Sequence, residues 1–116
     1  MFTRLQPILF VHNLATEIHF YATLGFQISH QTQAFVALSA GESILFGLQA
    51  QPDFDPTSAA NQMIWQIGAR RVRDIHAICV EAKLPIMVEP TKMDWGEWTM
   101  AVESPNGYRV VFEGPA

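Results

Sequence analysis

The order in which hydrophobic patterns follow one another occurs twice in this chain, and it constrains the fold more than any other feature. Residues 5–11 form a short apolar run broken by His12 and Asn13, which predicts a buried strand. Asn13 suits a helix N-cap, because its side-chain oxygen accepts from an unpaired backbone N–H of the first turn. Leu14, Ile18, Tyr21 and Ala22 then recur on one helical face, and Gly25 closes that helix as a left-handed C-terminal residue. Residues 26–29, 34–39 and 43–48 read as three strands, separated by Gln31-Thr32-Gln33 and Ala40-Gly41-Glu42, which are of hairpin length.

A linker over 51–60 follows, within a polar stretch at 49–61 carrying Pro52, Asp53, Asp55, Pro56, Thr57 and Ser58. The pattern then restarts. Residues 62–67 are strand-like and Gly68 breaks them, while Val72, Ile75, Ile78, Cys79 and Ala82 define a second amphipathic helix that Leu84-Pro85 ends. Strands are expected over 86–88, 97–102 and 108–113, the last two joined by the turn Ser104-Pro105-Asn106-Gly107. The expected fold class is α+β, as two β-α-β-β-β repeats (1–50 and 61–116) of one domain spanning 1–116. They would form a curved, open-barrel mixed sheet with the helices outside.

Each half alone would expose a curved sheet, and pairing of halves or of chains would leave a cleft where small molecules bind. Alternation along the strands predicts an open face of Gln6, Ile8, Phe10, Ile44, Phe46, Leu48, Gln62, Ile64, Gln66, Arg109, Val111 and Glu113, with Trp65 turned towards the helix.

Composition narrows the classes. The chain has 116 residues, 49% hydrophobic and 16% charged, too apolar for a disordered segment. Lys+Arg 7 against Asp+Glu 11 gives a net charge of −4, and the one basic cluster, Arg70, Arg71 and Arg73, is short; no nucleic-acid partner is expected. Cys79 has no partner for an internal disulfide. The first apolar run is too short for a membrane span or a signal-peptide core, so no membrane partner and a cytoplasmic location are expected. So small a charged fraction suggests that a second subunit or a ligand covers apolar surface.

Val11-His12-Asn13-Leu14, followed by Phe20-Tyr21-Ala22-Thr23-Leu24-Gly25-Phe26, resembles the V-x-D-L…F-Y-x-x-L-G-F opening of the vicinal-oxygen-chelate superfamily, which includes glyoxalase I, extradiol dioxygenases and bleomycin-resistance proteins. Ser104-Pro105-Asn106-Gly107-Tyr108 resembles its D-P-D/N-G-Y turn, and Asp94-Trp95-Gly96-Glu97-Trp98-Thr99-Met100 the tryptophan-glycine segment of the bleomycin-resistance branch. The resemblance covers nearly the whole chain.

Catalytic members of that superfamily hold a divalent metal with His, Gln or Glu from four strands. The resemblance places the corresponding positions at Gln6, Phe46, Gln62 and Val111, two neutral amides and two hydrophobic residues. Such a set neither balances a divalent charge nor replaces its hydration. Glu113 lies on the face of Val111, and His12, His19, His30 and His76 show no ligand spacing, so neither a metal nor another cofactor is expected.

What the resemblance implies instead is sequestration: a bleomycin-resistance type of small-molecule binding protein, homodimeric, with its ligand at the subunit interface. Trp95 and Trp98 stand among Glu89, Asp94, Glu97, Glu103 and Glu113, and residues 86–116 carry a local net charge of −3. Aromatic faces beside carboxylates suit a flat or cationic ligand. The expected ligand-binding residues are Gln6, Phe10, Phe46, Gln62, Ile64, Trp95, Trp98, Arg109, Val111 and Glu113; no catalytic residue is assigned. The alternatives are a glyoxalase- or dioxygenase-like enzyme with an atypical metal site, a metal-free lyase or isomerase with Glu113 as general base, and a structural dimerisation module.

Overall fold

Residues 1–61 and 63–116 are described by a computed structural model; Gln62, expected on the open face, lies outside them. The chain divides into two compact units, Met1–Asp55 and Pro56–Ala116. Among the described residues no helix is long and apolar enough to cross a membrane.

The first unit contains β1 (Ile8–Val11), α1 (Leu14–Thr23), β2 (Gln27–Gln31), β3 (Phe35–Ala40) and β4 (Ile44–Ala50). Asn13 starts the helix as expected, its Oδ1 accepting from the Thr16 N–H at 3.2 Å. Leu24 caps the other end and Gly25 takes φ +106, a conformation L-residues with a Cβ avoid. The helical crossover brings β1 parallel to β4, whereas short turns make the other pairs antiparallel, giving the sheet order β1-β4-β3-β2. β1 begins later than the apolar run suggests, although the Pro7 carbonyl still accepts from the Gly47 N–H at 2.8 Å.

Leu9 and Val11 of β1 are buried on the helix side together with Phe20, Tyr21, Leu38 and Leu48. Tyr21 and Phe46 meet edge to face with centroids 5.0 Å apart, and Phe26 meets each of them at 5.6 Å. Burying side chains of this size stabilises the unit by roughly 1.5–3 kcal/mol each. This packing corrects the expected face of β4. Phe46, only 3% exposed, belongs to the core, and Leu48 and Ile44 share its parity. Residues 44–46 and 48 are all apolar, so alternation carries no phase there; the ladder sets it, pairing Leu48 with buried Leu9 and Gly47 with exposed Ile8. Gly47 is what turns to the open side. A Cβ on it would lie 2.6 Å from the Phe35 ring.

The second unit repeats the topology. After a 3₁₀ turn at Pro56–Asn61 come β5 (Ile64–Gly68), α2 (Val72–Ala82), β6 (Ile86–Lys92), β7 (Trp98–Glu103) and β8 (Arg109–Gly114), in sheet order β5-β8-β7-β6 with β5 parallel to β8. Val72, Cys79, Met100, Val102, Val110 and Phe112 form its core. The turn before β8 is held by its own serine: Ser104 Oγ accepts from the Tyr108 N–H at 3.1 Å, and Gly107 takes φ +86.

Trp98 also needs correction. It starts β7 opposite Gly114, and alternation sets it with Met100 and Val102, on the side opposite Glu113. Trp65 is half-buried and alternates with Ile64 and Gln66, in line with its expected helix-facing position.

Candidate functional site

The helix-free face of the second unit is built by three neighbouring strands. Ile64 and Gln66 of β5 alternate with half-buried Trp65 and Ile67. Arg109, Val111 and Glu113 of β8 alternate with buried Val110 and Phe112. The ladder sets Ile64 beside Arg109 and Gln66 beside Val111, with Thr99 of β7 opposite Glu113. Ile64, at the start of edge strand β5, remains 57% exposed.

A chemically specific arrangement forms at the Glu113 end. The turn between β6 and β7 is closed by Met93 N–H donating to the Glu97 carbonyl at 2.8 Å and Gly96 N–H donating to the Met93 carbonyl at 2.9 Å, with Gly96 at φ +99. It carries Trp95 back to β8, where the indole Nε1–H donates to Glu113 Oε1 at 2.9 Å. Gln66 Nε2 donates to the other oxygen, Oε2. Both carboxylate oxygens are thus engaged by neutral donors, and among the described residues no cation pairs with Glu113. Its charge is held in place but not neutralised. Trp95 is fixed at its N–H edge while 62% of it stays exposed, leaving ring surface for a ligand. Gln66, Gly68, Glu97 and Glu113 line a depression of about 450 Å³ beside it.

The open face of the first unit carries Ile8 and Phe10, the latter 44% exposed. Gln6 lines a second depression there. Of the expected ligand-binding residues, the structure therefore brings Ile64, Arg109, Val111, Glu113 and Trp95 to the second unit's sheet and places Gln6 and Phe10 on the first unit. Phe46 is turned away from the open face of the first unit, and Trp98 from that of the second.

The donors at the superfamily's metal positions do not fit a divalent cation. Gln6 is a neutral amide, Phe46 is enclosed by aromatic rings, and Val111 offers no donor. Glu113 is taken up by Trp95 and Gln66. The histidines are dispersed: His12 Nδ1 meets the Pro52 carbonyl at 3.0 Å, His76 pairs with Glu89 at 2.8 Å, and His19 lies on α1. Among the described residues no three His, Cys, Asp or Glu side chains converge. Burial pushes the Cys79 thiol above its ordinary value, which suppresses the thiolate a nucleophile or metal ligand needs.

Gln66 was read onto the open face by alternation and Glu97 among the carboxylates near Trp95, but neither was among the expected ligand-binding residues. The Trp95–Glu113 contact was not legible, because it spans 18 residues and depends on how the turn folds back.

The profile of the Glyoxalase/Bleomycin resistance protein/Dioxygenase superfamily matches residues 4–112, and the chain belongs to that superfamily. No curated protein matches it. Among solved structures, a bleomycin-binding protein complexed with bleomycin is similar at TM-score 0.79 and 18% identity, over 99% of this chain and 100% of that one. A bleomycin resistance determinant encoded on the transposon Tn5 is similar at TM-score 0.75 and 18% identity, over 98% of each chain. A lactoylglutathione lyase from Agrobacterium tumefaciens is similar at TM-score 0.73 and 15% identity, over 96% of this chain and 92% of that one. At such identities the likeness is one of fold.

Proposed function

We propose that the protein is a metal-free small-molecule binding protein of the bleomycin-resistance type, which sequesters an aromatic, cationic ligand without turning it over. The observation that carries this reading is the exposed Trp95 indole, pinned through its N–H to a carboxylate that no cation pairs with among the described residues. A planar cation stacked on Trp95 would lie beside Glu113, with Glu97 on the rim of the same depression. Ile64 and Val111 supply apolar floor for the rest of the ligand. Two of the structural neighbours are named for bleomycin, which makes it the first ligand to try.

The protein acts as a cytoplasmic homodimer in this reading. Exposed Ile8, Phe10, Ile64 and Val88 supply apolar area for a second copy to cover. Sedimentation velocity checks this part and is expected to give a dimer at micromolar concentration.

Tryptophan fluorescence titration with bleomycin, and separately with 4-phenylbutylamine as a minimal aromatic cation, tests the binding reading. At least one is expected to change the emission saturably, with a smaller response at high salt and none in Trp95→Phe. Silence towards both, or a response that survives Trp95→Phe, rejects this site. Chemical conversion of the bound compound rejects simple sequestration.

A further inference from the structure

The other end of β8 carries a charge that sequestration of a cation leaves unused. Arg109, Val111 and Glu113 share one side of the strand, so Arg109 stands four residues from Glu113, about 13 Å along an extended chain. The two charges are opposite in sign and do not pair with each other. Among the described residues the Arg109 side chain makes no ion pair and no hydrogen bond.

Two features set this guanidinium apart. Its register partner across the antiparallel ladder is a carboxylate, Glu103, yet the two form no ion pair. Its Nε is buried without a hydrogen-bond partner, and the residue as a whole is half-buried. A donor withdrawn from water and left unpaired costs roughly 1–3 kcal/mol, and more on a charged group. A solvated surface arginine keeps its Nε–H wet, and a cross-strand partner of Glu103 would be bonded to it; Arg109 does neither. Its planar fork of N–H donors matches a carboxylate. Exposed Ile64 lies beside it on β5, and Val111 lies between it and Glu113. An apolar strip thus joins an unpaired cation to a carboxylate held by neutral donors alone.

We infer that the ligand of this face is dipolar: an elongated aromatic molecule with its cationic group at Trp95 and Glu113 and a carboxylate at its far end, received by the Arg109 guanidinium. The inference rests on the sequestration reading for the cationic end and adds the anionic one, with the body of the molecule lying over Val111 and Ile64. Arg109 then selects among aromatic cations, favouring those long enough to bring a carboxylate to it.

Isothermal titration calorimetry on the full chain tests this with three rigid probes: 4′-(aminomethyl)biphenyl-4-carboxylate, the corresponding carboxamide, and the shorter 4-(aminomethyl)benzoate. The biphenyl carboxylate is expected to bind at least about tenfold more tightly than the carboxamide, which has the same length and cation but no anion. The benzoate cannot span both ends and should bind no better than the carboxamide. Arg109→Met keeps the apolar stem and should erase the preference for the carboxylate, leaving carboxamide binding within about twofold of wild type. Arg109→Lys retains the charge without the fork and should keep part of the preference. Equal affinity of the two biphenyl probes, a benzoate as tight as the biphenyl carboxylate, a preference that survives Arg109→Met, or no binding of either biphenyl probe would each overturn the dipolar ligand. The Trp95 reading is judged separately, by indole emission with 4-phenylbutylamine, which has no anion to offer Arg109; it stands or falls whatever the carboxylate does.

Discussion

Two glycines have no room for a side chain, and they differ in what stands in the way. At Gly114 an added Cβ would lie 2.0 Å from the Ala69 carbonyl oxygen, a backbone atom that cannot swing aside. At Gly47 the obstacle is the Phe35 ring, which can rotate. Gly114→Ala is therefore expected to cost at least about 3 kcal/mol and Gly47→Ala nearer 1 kcal/mol, read as shifted urea midpoints at constant slope. Gly47→Ala should also disturb the Phe35 wall of the first unit's depression. Cys79 gives a second prediction at this scale. Its raised pKa leaves less thiolate at neutral pH, and its burial blocks access, so iodoacetamide should leave the native protein unmodified and label it in urea. Labelling of the folded protein at the rate of a free thiol contradicts this. Phe46 shows why residue-level reading has a limit: the aromatic ring gave its hydrophobicity, but only the pairing with β1 gave its side of the sheet.

The two helices are capped by different means. α1 has the Asn13 side chain at its start and Gly25 past its end, both readable from residue type alone. Asn13→Ala should lower stability by about 1 kcal/mol, measured by thermal or urea unfolding. α2 starts without a side-chain cap and ends on Lys83 at φ +58, where the expected stop was the Leu84-Pro85 pair. A lysine there bears the left-handed penalty without glycine's freedom. Lys83→Gly is expected to stabilise the protein by about 0.5–1 kcal/mol, the relief of that strain less the greater chain entropy of glycine; a loss of stability would show that the lysine side chain contributes something not visible in its backbone. Strand positions were legible to within a few residues because apolar runs and turns bracket them. The bulges in β2 and β6 were not, since one extra residue in a ladder leaves no mark in hydrophobicity. The place of His30 in the lining of the first unit's depression was accordingly not legible.

At the scale of the molecule, the doubled order of elements was the most legible property, because it is carried by many weak signals in register rather than by one. The open faces were half legible: the phase came out right for β5 and β8, which interleave polar residues, and for β1, and inverted for β4; β1 and β4 are apolar runs in which alternation by itself carries no phase. Every described strand pairing closes within Met1–Asp55 or within Pro56–Ala116. A protease site inserted near Pro52 and then cut should therefore leave the far-ultraviolet circular dichroism unchanged, since no ladder is severed; collapse of that signal on cutting would contradict it. The same closure bears on inheritance. A substitution that alters the pairing of one sheet has no ladder through which to disturb the other, so natural selection acts on two surfaces carried by a single chain. One sheet can gather acidic groups around a tryptophan while the other gathers a guanidinium and an imidazole, with no described strand pairing shared between them.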